Sequence, residues 1–312
     1  NKENVVITGI STNSKEIKKN FIFFAIKGNK LNGESFIQDA INRGASVIIC
    51  SSRCKFKDKN VLVIKKRDIR YFLSEIAARF YKLKPKNIIA VTGTNGKTSV
   101  ADIFYQILRI NKLPAATIGT LGIKYNDKTI KTNLTSPDTI SLHRYLNFLK
   151  KKKIENVIIE SSSHGLDQKR LHHLNFKGAI FTNFSQDHLD YHKNMKSYLN
   201  AKLILFREIL KKKSTIIADR EIKQFSLIKK ITKKKNLKLL NINNEIKKIK
   251  NKYPYYTGDF KTKNLAMAIK AVKLCGLKEK IIYQAIKKIK DVNGRLELVK
   301  NYPNDVRVYV DY

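Results

Sequence analysis

The sequence predicts an α/β protein with a small mixed N-terminal domain, a central domain built on a mostly parallel sheet, and the opening strand of a third domain. From residue 87 onward, short apolar runs alternate with stretches of helical spacing, which is typical of a parallel sheet covered by helices. A proline-containing break at 83–86 separates this pattern from the residues before it. The length of 312 residues suits about two full domains. The predicted domains span 1–86, 87–292 and 293–312.

The first 86 residues combine strand and helix patterns. Three apolar runs predict strands at Phe21–Ile26, Ser46–Ile49 and Val61–Ile64. Helical spacing of apolar residues predicts helices at Phe36–Ile41 and Ile69–Tyr81. The second helix should end before Pro85, because proline disfavours the helical conformation in the residue that precedes it.

The central domain repeats the order strand, turn and helix. Its predicted strands are Ile88–Val91, Val157–Ile159, Ala179–Phe181 and Thr215–Ala218. Residues 259–290 are predicted to be helical, and Asn293-Gly294 ends that pattern before a further strand at Val306–Val310. Because the sequence stops at Tyr312, directly after this strand, we expect it to be part of a longer protein.

Composition excludes several classes of protein. Hydrophobic residues make up 42% of the chain, too many for a disordered basic tail. No apolar run approaches the roughly 18 to 20 residues that a membrane-spanning helix needs. The three cysteines (Cys50, Cys54 and Cys275) contain no CxxC pair, so a disulfide scaffold and a cysteine-rich zinc site are both disfavoured. A cytoplasmic protein is expected.

The formal net charge of +39 raises the possibility of nucleic-acid binding, because lysine and arginine neutralise phosphates. The lysines, however, are spread from Lys2 to Lys300, with short runs at Lys150–Lys153, Lys211–Lys213 and Lys233–Lys235. None of these runs is interleaved with aromatic residues that could stack on bases. A solvated basic surface is therefore the favoured interpretation, and a nucleic-acid face is the alternative.

A phosphate-binding loop is the strongest local signal. The strand Ile88–Val91 leads into Thr92-Gly93-Thr94-Asn95-Gly96-Lys97-Thr98, and a helix is predicted from Ser99 to Ile110. Loop and helix-start N–H groups would converge on an anion, with Lys97 at the β- and γ-phosphates and the Thr98 hydroxyl on Mg²⁺. The usual GxxxxGK[ST] spacing requires glycine at position 91, which is valine here, so the loop is a variant. The alternative is an ordinary strand–turn–helix.

Two further strands are predicted to bring polar groups to the same edge of the sheet. Glu160 ends the strand Val157–Ile159, and residues 183–192, which include His188, follow the next strand. Open α/β sheets bind ligands at the carboxyl ends of their strands. The spacing therefore predicts metal ligands in Glu160 and His188, with a loop histidine bonded to backbone as the alternative for His188. Taken alone, Lys202 is predicted to face solvent.

Taken together, these segments resemble the Mur ligase family of ATP-dependent amide-forming enzymes. The resemblance covers essentially the whole chain and rests on an ordered set of motifs. The strings Ser162-Ser163-His164-Gly165-Leu166 and Asp187-His188-Leu189-Asp190-Tyr191-His192 are similar to the MurE-type branch of the family. The other motifs are the phosphate loop, Thr135-Ser136-Pro137-Asp138, Glu160 to Arg170 and Asn293-Gly294-Arg295-Leu296-Glu297.

The resemblance implies an N-terminal domain that binds UDP-N-acetylmuramic acid, a central ATPase domain and a C-terminal ligase domain. The implied reaction adds a diamino acid to UDP-N-acetylmuramoyl-L-alanyl-D-glutamate through an acyl phosphate during peptidoglycan precursor synthesis. Meso-2,6-diaminopimelate is favoured as the diamino acid, and L-lysine is the alternative. The implied cofactors are ATP, Mg²⁺ and a carbamylated Lys202. A monomer without a nucleic-acid partner is expected.

The resemblance also assigns roles to individual residues. The implied catalytic residues are Lys97, Glu160, His188 and Lys202, and the implied metal ligands are Thr98, Glu160, His188 and carbamylated Lys202. The implied ATP contacts are Gly93, Thr94, Asn95, Gly96, Lys97, Thr98, Asn264, Arg295 and Asp311. The implied substrate contacts are Thr12, Ser14, Asn29, Lys30, Thr135, Ser136, Ser162, Gln168 and Arg170.

Two other functions remain open on sequence grounds. One is a basic P-loop ATPase that binds nucleic acid through its positive surface, which predicts salt-sensitive binding of DNA or RNA. The other is a chain that binds nucleotide and catalyses nothing by itself, because the ligase domain is only begun.

Overall fold

A computed structural model describes residues 6–28, 31–254 and 258–292, together with the backbone of 297–301 and 307–310. The chain divides into two compact units. The smaller unit comprises Asn1–Lys82, Asp138–Tyr145 and Gln168–His173, and the larger comprises Leu83–Pro137, Leu146–Asp167 and Leu174–Tyr312. Among the described residues, no helix is both long and apolar enough to cross a bilayer.

The smaller unit contains a four-stranded sheet in which every strand is parallel to its neighbours. Its strands, in spatial as well as chain order, are β1 (Gly9–Ser11), β2 (Phe21–Phe24), β3 (Ala45–Ser51) and β4 (Leu62–Lys66). Helix α1 (Ile37–Asn42) follows a 3-10 turn at Gly33–Phe36, and α2 (Ile69–Phe80) follows β4. Alternate residues along the strands pack into two cores, with Phe23 in one and Phe24 in the other. This alternation is expected for strands that are covered on both faces.

The larger unit is built on an eight-stranded sheet. Its strands are β5 (Asn87–Thr92), β6 (Ala115–Gly119), β7 (Gly122–Tyr125), β8 (Lys128–Ile130), β9 (Asn156–Glu160), β10 (Gly178–Phe181), β11 (Thr215–Ala218) and β12 (Lys238–Asn241). Their spatial order is β12-β11-β10-β5-β9-β6-β7-β8. In this spatial order, the six strands from β12 to β6 are parallel to one another. Strand β7 pairs in antiparallel fashion with both β6 and β8. Every residue of β5 is buried, as is typical of the centre of a parallel sheet.

The remaining elements are mostly helices that connect these strands. They are α3 (Lys97–Ile110), α4 (Thr139–Lys151), α5 (Ser163–Asp167), α6 (Leu189–His192), α7 (Met195–Ile204), α8 (Phe225–Lys235), α9 (Asn243–Lys252), α10 (Asp259–Leu274) and α11 (Glu279–Ile286). A π-helical turn at Leu205–Ile209 continues α7. Two short strands, β13 (Glu297–Asn301) and β14 (Arg307–Val310), pair in antiparallel fashion.

The structure confirms the predicted α/β class and the predicted strands, with shifts of one or two residues at most of their ends. The helical prediction for 259–290 is confirmed over most of its length as two helices, α10 and α11, which are separated at Gly276, where φ is +97°. The predicted strand Phe21–Ile26 ends at Phe24, and α3 begins at Lys97 rather than Ser99. Strands β1, β6, β7, β8, β12 and β13 were not predicted.

Helix α10 is fixed to its neighbours by a buried carboxylate. Glu245 on α9 is 1% exposed. It accepts hydrogen bonds from the Tyr283 hydroxyl of α11 at 2.5 Å and from Lys273 Nζ of α10 at 3.0 Å. Lys270 Nζ of α10 lies 3.1 Å from the same carboxylate. The buried anion links α9 to α10 and α11, because its three donors come from those two helices. Removing it would take this buried acceptor away from all three donors.

We expect Glu245→Ala to lower the free energy of unfolding by about 2–4 kcal/mol, because two lysines and a tyrosine lose a buried acceptor. Denaturant unfolding measures the change. The matched control is Glu279→Ala, which also removes a partner of Lys273 but from an exposed position, and should cost less than about 1 kcal/mol. Equal losses in the two variants would contradict the anchoring role.

Candidate functional site

The loop between β5 and α3 contains two glycines in conformations that other residues rarely adopt. Gly93 has a φ of +144° and Gly96 a φ of +82°. A Cβ at Gly93 would lie 1.9 Å from Thr182 Oγ1, and one at Gly96 would lie 2.6 Å from Asn264 Oδ1. Both positions therefore require glycine for backbone freedom and for space. Asn264, on α10, lies directly against the loop.

The segment that follows β10 fixes the conformation of this loop. Asn183 accepts a hydrogen bond from the Asn95 N–H through Oδ1 at 2.9 Å and one from the Thr94 N–H through its carbonyl at 3.0 Å. Thr182 Oγ1 donates to the Asn95 carbonyl at 2.6 Å. The adjacent strands β5 and β10 thus hold the loop in one shape, with the N-terminus of α3 behind it.

Lys97 holds a positive charge over the loop. Its Nζ donates to the carbonyl oxygens of Thr94 at 2.7 Å and of Gly93 at 3.1 Å. The positive end of the α3 dipole lies at the same place, since Lys97 is the first residue of the helix. The combination favours an anionic group in front of the loop.

Glu160, at the end of β9, is a carboxylate in a closed polar pocket. The residue is 2% exposed. Its Oε2 accepts from Thr98 Oγ1 at 2.9 Å and from Thr120 Oγ1 at 3.2 Å, and its Oε1 accepts from the Thr120 N–H at 3.0 Å. Burial raises the pKa of Glu160, and the hydrogen bond from Thr98 opposes that rise. A Cβ at Gly119 would lie 2.0 Å from Oε1, so the carboxylate occupies space that this glycine leaves.

Lys202, on α7, is buried rather than solvent-facing as its sequence context predicts. The residue is 1% exposed. Its Nζ donates to the Gly93 carbonyl at 2.7 Å and lies 4.3 Å from the centre of the Tyr198 ring. Neither contact carries a full negative charge. Burial, together with the charge of Lys97, lowers the pKa of the Lys202 amine to about 6.

His188 lies at the start of α6 in a left-handed conformation, with a φ of +51°. Its side chain is 42% exposed, and its Nε2 lies 3.4 Å from Asp187 Oδ2. The ring packs against those of His164, at a centroid distance of 5.0 Å, and Tyr198, at 5.9 Å. The side chain therefore faces a carboxylate and aromatic rings.

These elements surround one cavity of about 230 Å³ in the larger unit. Its lining residues are Thr94, Asn95, Gly96, Lys97, Thr98, Ser99, Thr120, Thr135, Ser162, Ser163, His188 and Lys202. Glu160 adjoins the cavity through its hydrogen bonds to Thr98 and Thr120. Within the described residues, no three His, Cys, Asp or Glu side chains form a cluster that could hold a metal ion by themselves.

Other described residues singled out from the sequence do not line the cavity. Ser136 is fully buried and donates to the Glu160 carbonyl at 2.8 Å. In the smaller unit, Thr12 is exposed, Ser14 is buried, and Arg170 Nη2 donates to Gln168 Oε1 at 2.6 Å. Four further residues lie outside the described part of the chain: Asn29, Lys30, Arg295 and Asp311.

Thr120, Thr182 and Tyr198 belong to the site but were not identified from the sequence. Thr120 holds Glu160, but it follows the unpredicted strand β6. Thr182 follows β10, and its contact with Gly93 depends on the order of the strands. Tyr198 lies beneath Lys202, and the four-residue spacing between them on a helix is the signal that could have paired them.

Two family models and several curated proteins match this chain. The family model described as the Mur ligase middle domain matches residues 91–278, and that described as the Mur ligase family, catalytic domain, matches residues 6–81. The UDP-N-acetylmuramoyl-L-alanyl-D-glutamate--2,6-diaminopimelate ligase of Rickettsia bellii is 37% identical over 98% of this chain and 68% of its own length. The ligase of the same name from Brucella melitensis is 35% identical over 99% of this chain and 68% of its own length. The chain thus spans about two thirds of the length of these curated relatives.

Solved structures share the fold. A structure of UDP-N-acetylmuramoyl-L-alanyl-D-glutamate--2,6-diaminopimelate ligase superposes with a TM-score of 0.78 at 24% identity, covering 95% of this chain and 65% of that one. The MurF ligase of Thermotoga maritima in complex with ADP superposes with a TM-score of 0.61 at 17% identity. The superposition covers 96% of this chain and 70% of the MurF chain.

We expect Lys202→Met to raise the free energy of unfolding by at least about 1 kcal/mol near neutral pH, because a buried amine without an anionic partner is replaced by an apolar chain of similar length. The folded-state pKa of about 6 lies below the ordinary 10.5, so between these values the unfolded chain binds one more proton than the folded chain. The stability of the parent protein therefore rises with pH in this window, and the advantage of the variant should shrink by up to about 1.4 kcal/mol per pH unit.

Denaturant unfolding at several pH values, in buffer depleted of CO₂ and divalent metal ions, measures this difference. Lys196→Met, at an exposed position of the same helix, is the control and should change stability little at any pH. A Lys202→Met variant that is less stable than its parent across the whole pH window would contradict the assignment of a neutral buried amine.

Proposed function

The chain belongs to the Mur ligase family. On that premise we propose that it functions as part of an ATP-dependent ligase, which joins 2,6-diaminopimelate to UDP-N-acetylmuramoyl-L-alanyl-D-glutamate. The observation that carries the proposal is the single cavity where the phosphate loop, Thr98, His188 and Lys202 meet beside Glu160. The names of relatives with 34–37% identity over nearly the whole chain support the choice of substrates, and favour diaminopimelate over lysine.

In the proposed reaction, a carboxylate of the UDP-linked peptide attacks the γ-phosphorus of ATP. The bond from that phosphorus to the ADP oxygen breaks, and an acyl phosphate forms. The amine of diaminopimelate then attacks the acyl carbon, loses a proton and expels phosphate, which leaves the amide. The protein has to hold two anions together, and Lys97 with the N-terminus of α3 supplies positive charge for this purpose.

The donor set beside the loop suits a hard divalent cation. The Thr98 hydroxyl and the Glu160 carboxylate are oxygen donors 2.9 Å apart, and oxygen is the ligand that Mg²⁺ prefers. Bound Mg²⁺ would supply further positive charge against the phosphates. We propose Thr98, Glu160, His188 and carbamylated Lys202 as the residues that hold it. His188 would contribute a nitrogen, the less usual ligand for this ion.

The burial of Lys202 supports the proposed carbamate. An amine with a pKa of about 6 is mostly unprotonated at neutral pH, so its lone pair is available to attack CO₂. In that step a nitrogen–carbon bond forms and a proton is released, which turns the amine into a carboxylate-like oxygen ligand. The modification would also replace a group that Lys97 repels when protonated, one of the causes of the lowered pKa, by an anion that Lys97 attracts.

We further propose roles for residues around the cavity and beyond it. Thr135 and Ser162 line the cavity and are proposed to contact the muramoyl-peptide, with Ser136 supporting Ser162 through a hydroxyl contact of 3.0 Å. Asn264, beside Gly96, is proposed to contact ATP. The remaining proposed contacts stand on the family resemblance alone: Thr12, Ser14, Asn29, Lys30, Gln168 and Arg170 for the UDP-linked substrate, and Arg295 and Asp311 for ATP.

Nucleotide binding tests the cavity on this chain directly. We expect ATP with Mg²⁺ to bind, and Lys97→Met to weaken binding at least about 30-fold, because the charge over the loop is lost. Isothermal titration calorimetry measures both proteins. Lys196→Met removes an exposed lysine of the same unit and should bind as the parent does, and an equal loss in this control would contradict the role of Lys97.

Ligation by the full-length protein tests the activity. We expect ADP release that requires Mg²⁺, UDP-N-acetylmuramoyl-L-alanyl-D-glutamate and diaminopimelate, with at least about a 100-fold lower kcat in Lys202→Met. A coupled assay measures ADP, and L-lysine is offered in parallel. No ADP release with either amino acid would overturn the ligase assignment, and release with L-lysine alone would overturn the choice of diaminopimelate.

A further inference from the structure

The sheet of the larger unit has a second edge, at the opposite end of its strands from the phosphate loop. Six neighbouring strands, in the order β12-β11-β10-β5-β9-β6, run parallel, so their amino ends all lie at this edge. Backbone hydrogen bonds join the segments that precede them, such as Lys213 N–H to the Asn236 carbonyl at 2.8 Å and Thr215 N–H to the Lys177 carbonyl at 3.2 Å. At a strand spacing of about 4.8 Å, the edge is a continuous row of roughly 24 Å.

The four residues that precede each of these six strands include lysine: the segments are 83–86, 111–114, 152–155, 174–177, 211–214 and 234–237. We call the lysines of these segments, with the adjoining Lys150, Lys151 and Lys233, the lysine edge: Lys84, Lys86, Lys112, Lys150–Lys153, Lys177, Lys211–Lys213 and Lys233–Lys235. Most of these side chains are exposed, including all three of Lys211–Lys213. Glu155 is the one acidic residue in the same segments, and it pairs with Lys150. The row is therefore almost entirely cationic.

The opposite edge of the same sheet has a different charge balance. In the four residues that follow each of the same six strands, the charged residues are Arg220 against Asp219, Glu221 and Glu245. A general bias of the chain toward lysine would act on both edges alike, so it does not explain this polarity. Lysine also interacts favourably with helix C-termini, but only within the last turn. That effect applies to the ends of α4 and α8, and leaves Lys177 and Lys211–Lys213 unexplained.

We propose that the lysine edge docks the protein onto an anionic phospholipid surface. Lysine attracts phosphate as a hydrated point charge, without the bidentate geometry that arginine offers, and clusters of four to eight basic residues are typical of binding to anionic lipid headgroups. The six segments contain no arginine. Leu83, beside the row, is 45% exposed and adds an apolar side chain to the same surface.

The same segments lack the side chains with which proteins bind nucleic-acid bases. Phe176 is their one aromatic residue, and it is buried. Base stacking on aromatic rings and base readout by arginine are therefore unavailable at this edge. The docking surface is also independent of the proposed ligase chemistry, because it lies at the other end of the strands from the cavity.

Cosedimentation with lipid vesicles tests the proposal on the whole chain. We expect binding to vesicles that contain phosphatidylglycerol, none to pure phosphatidylcholine, and loss of binding as salt is raised. Replacing Lys211, Lys212 and Lys213 together by Glu should weaken binding about 100-fold or more. The matched control replaces Lys193, Lys196 and Lys223, exposed lysines that follow β10 and β11, by Glu. It makes the same change in net charge and should retain binding within a few-fold.

Several outcomes would overturn the proposal. One is equal binding of the protein to vesicles with and without phosphatidylglycerol. Another is an equal loss of vesicle binding in the two triple variants, which would assign binding to net charge alone. The third comes from a parallel titration with fluorescent single-stranded RNA and duplex DNA. If either binds more tightly than phosphatidylglycerol vesicles and loses binding in the Lys211–Lys213 variant, the occupant is nucleic acid. Circular dichroism and thermal unfolding verify that both variants fold.

Discussion

A lysine amine buried beside the phosphate loop is the constraint on which the site depends. The Nζ of Lys202 lies 2.7 Å from the Gly93 carbonyl and over the Tyr198 ring, in a place where a protonated amine is costly. Its low pKa is the consequence. The neighbouring backbone accommodates this arrangement closely, because Gly93 has no side chain and Thr182 fills the space that a Cβ would need. Replacing that glycine would disturb the loop and the lysine together.

The order of the parallel strands explains why residues distant in sequence share one cavity. β5 lies between β10 and β9, so the loop after β5 is flanked by Thr182 and Asn183 on one side and by Glu160 on the other. The same order gathers the segments before those strands at the opposite edge, where lysine predominates. One sheet therefore carries two electrostatically distinct edges. In our account one edge binds nucleotide and the other an anionic lipid surface.

Local patterns were sufficient for the features that depend on neighbouring residues. The Gly-Lys-Thr sequence at a strand–helix junction predicted the loop between β5 and α3, and an apolar strand ending in Glu160 predicted a carboxylate at the same edge of the sheet. Patterns failed where long-range packing decides. β6 begins with two alanines, which favour strands weakly, so the role of Thr120 was not visible. Lys202 has nothing in its own helix that predicts burial, and only the family resemblance assigned it a role.

The most direct test of the central claim is the chemical state of Lys202. With ¹³C-labelled bicarbonate and Mg²⁺, the account predicts a carbamate carbon signal in the ¹³C NMR spectrum of the protein. The signal should disappear in Lys202→Met and persist in Lys196→Met, whose lysine is exposed on the same helix. A signal that survives in Lys202→Met, or no signal in the parent protein at saturating bicarbonate, would contradict the account.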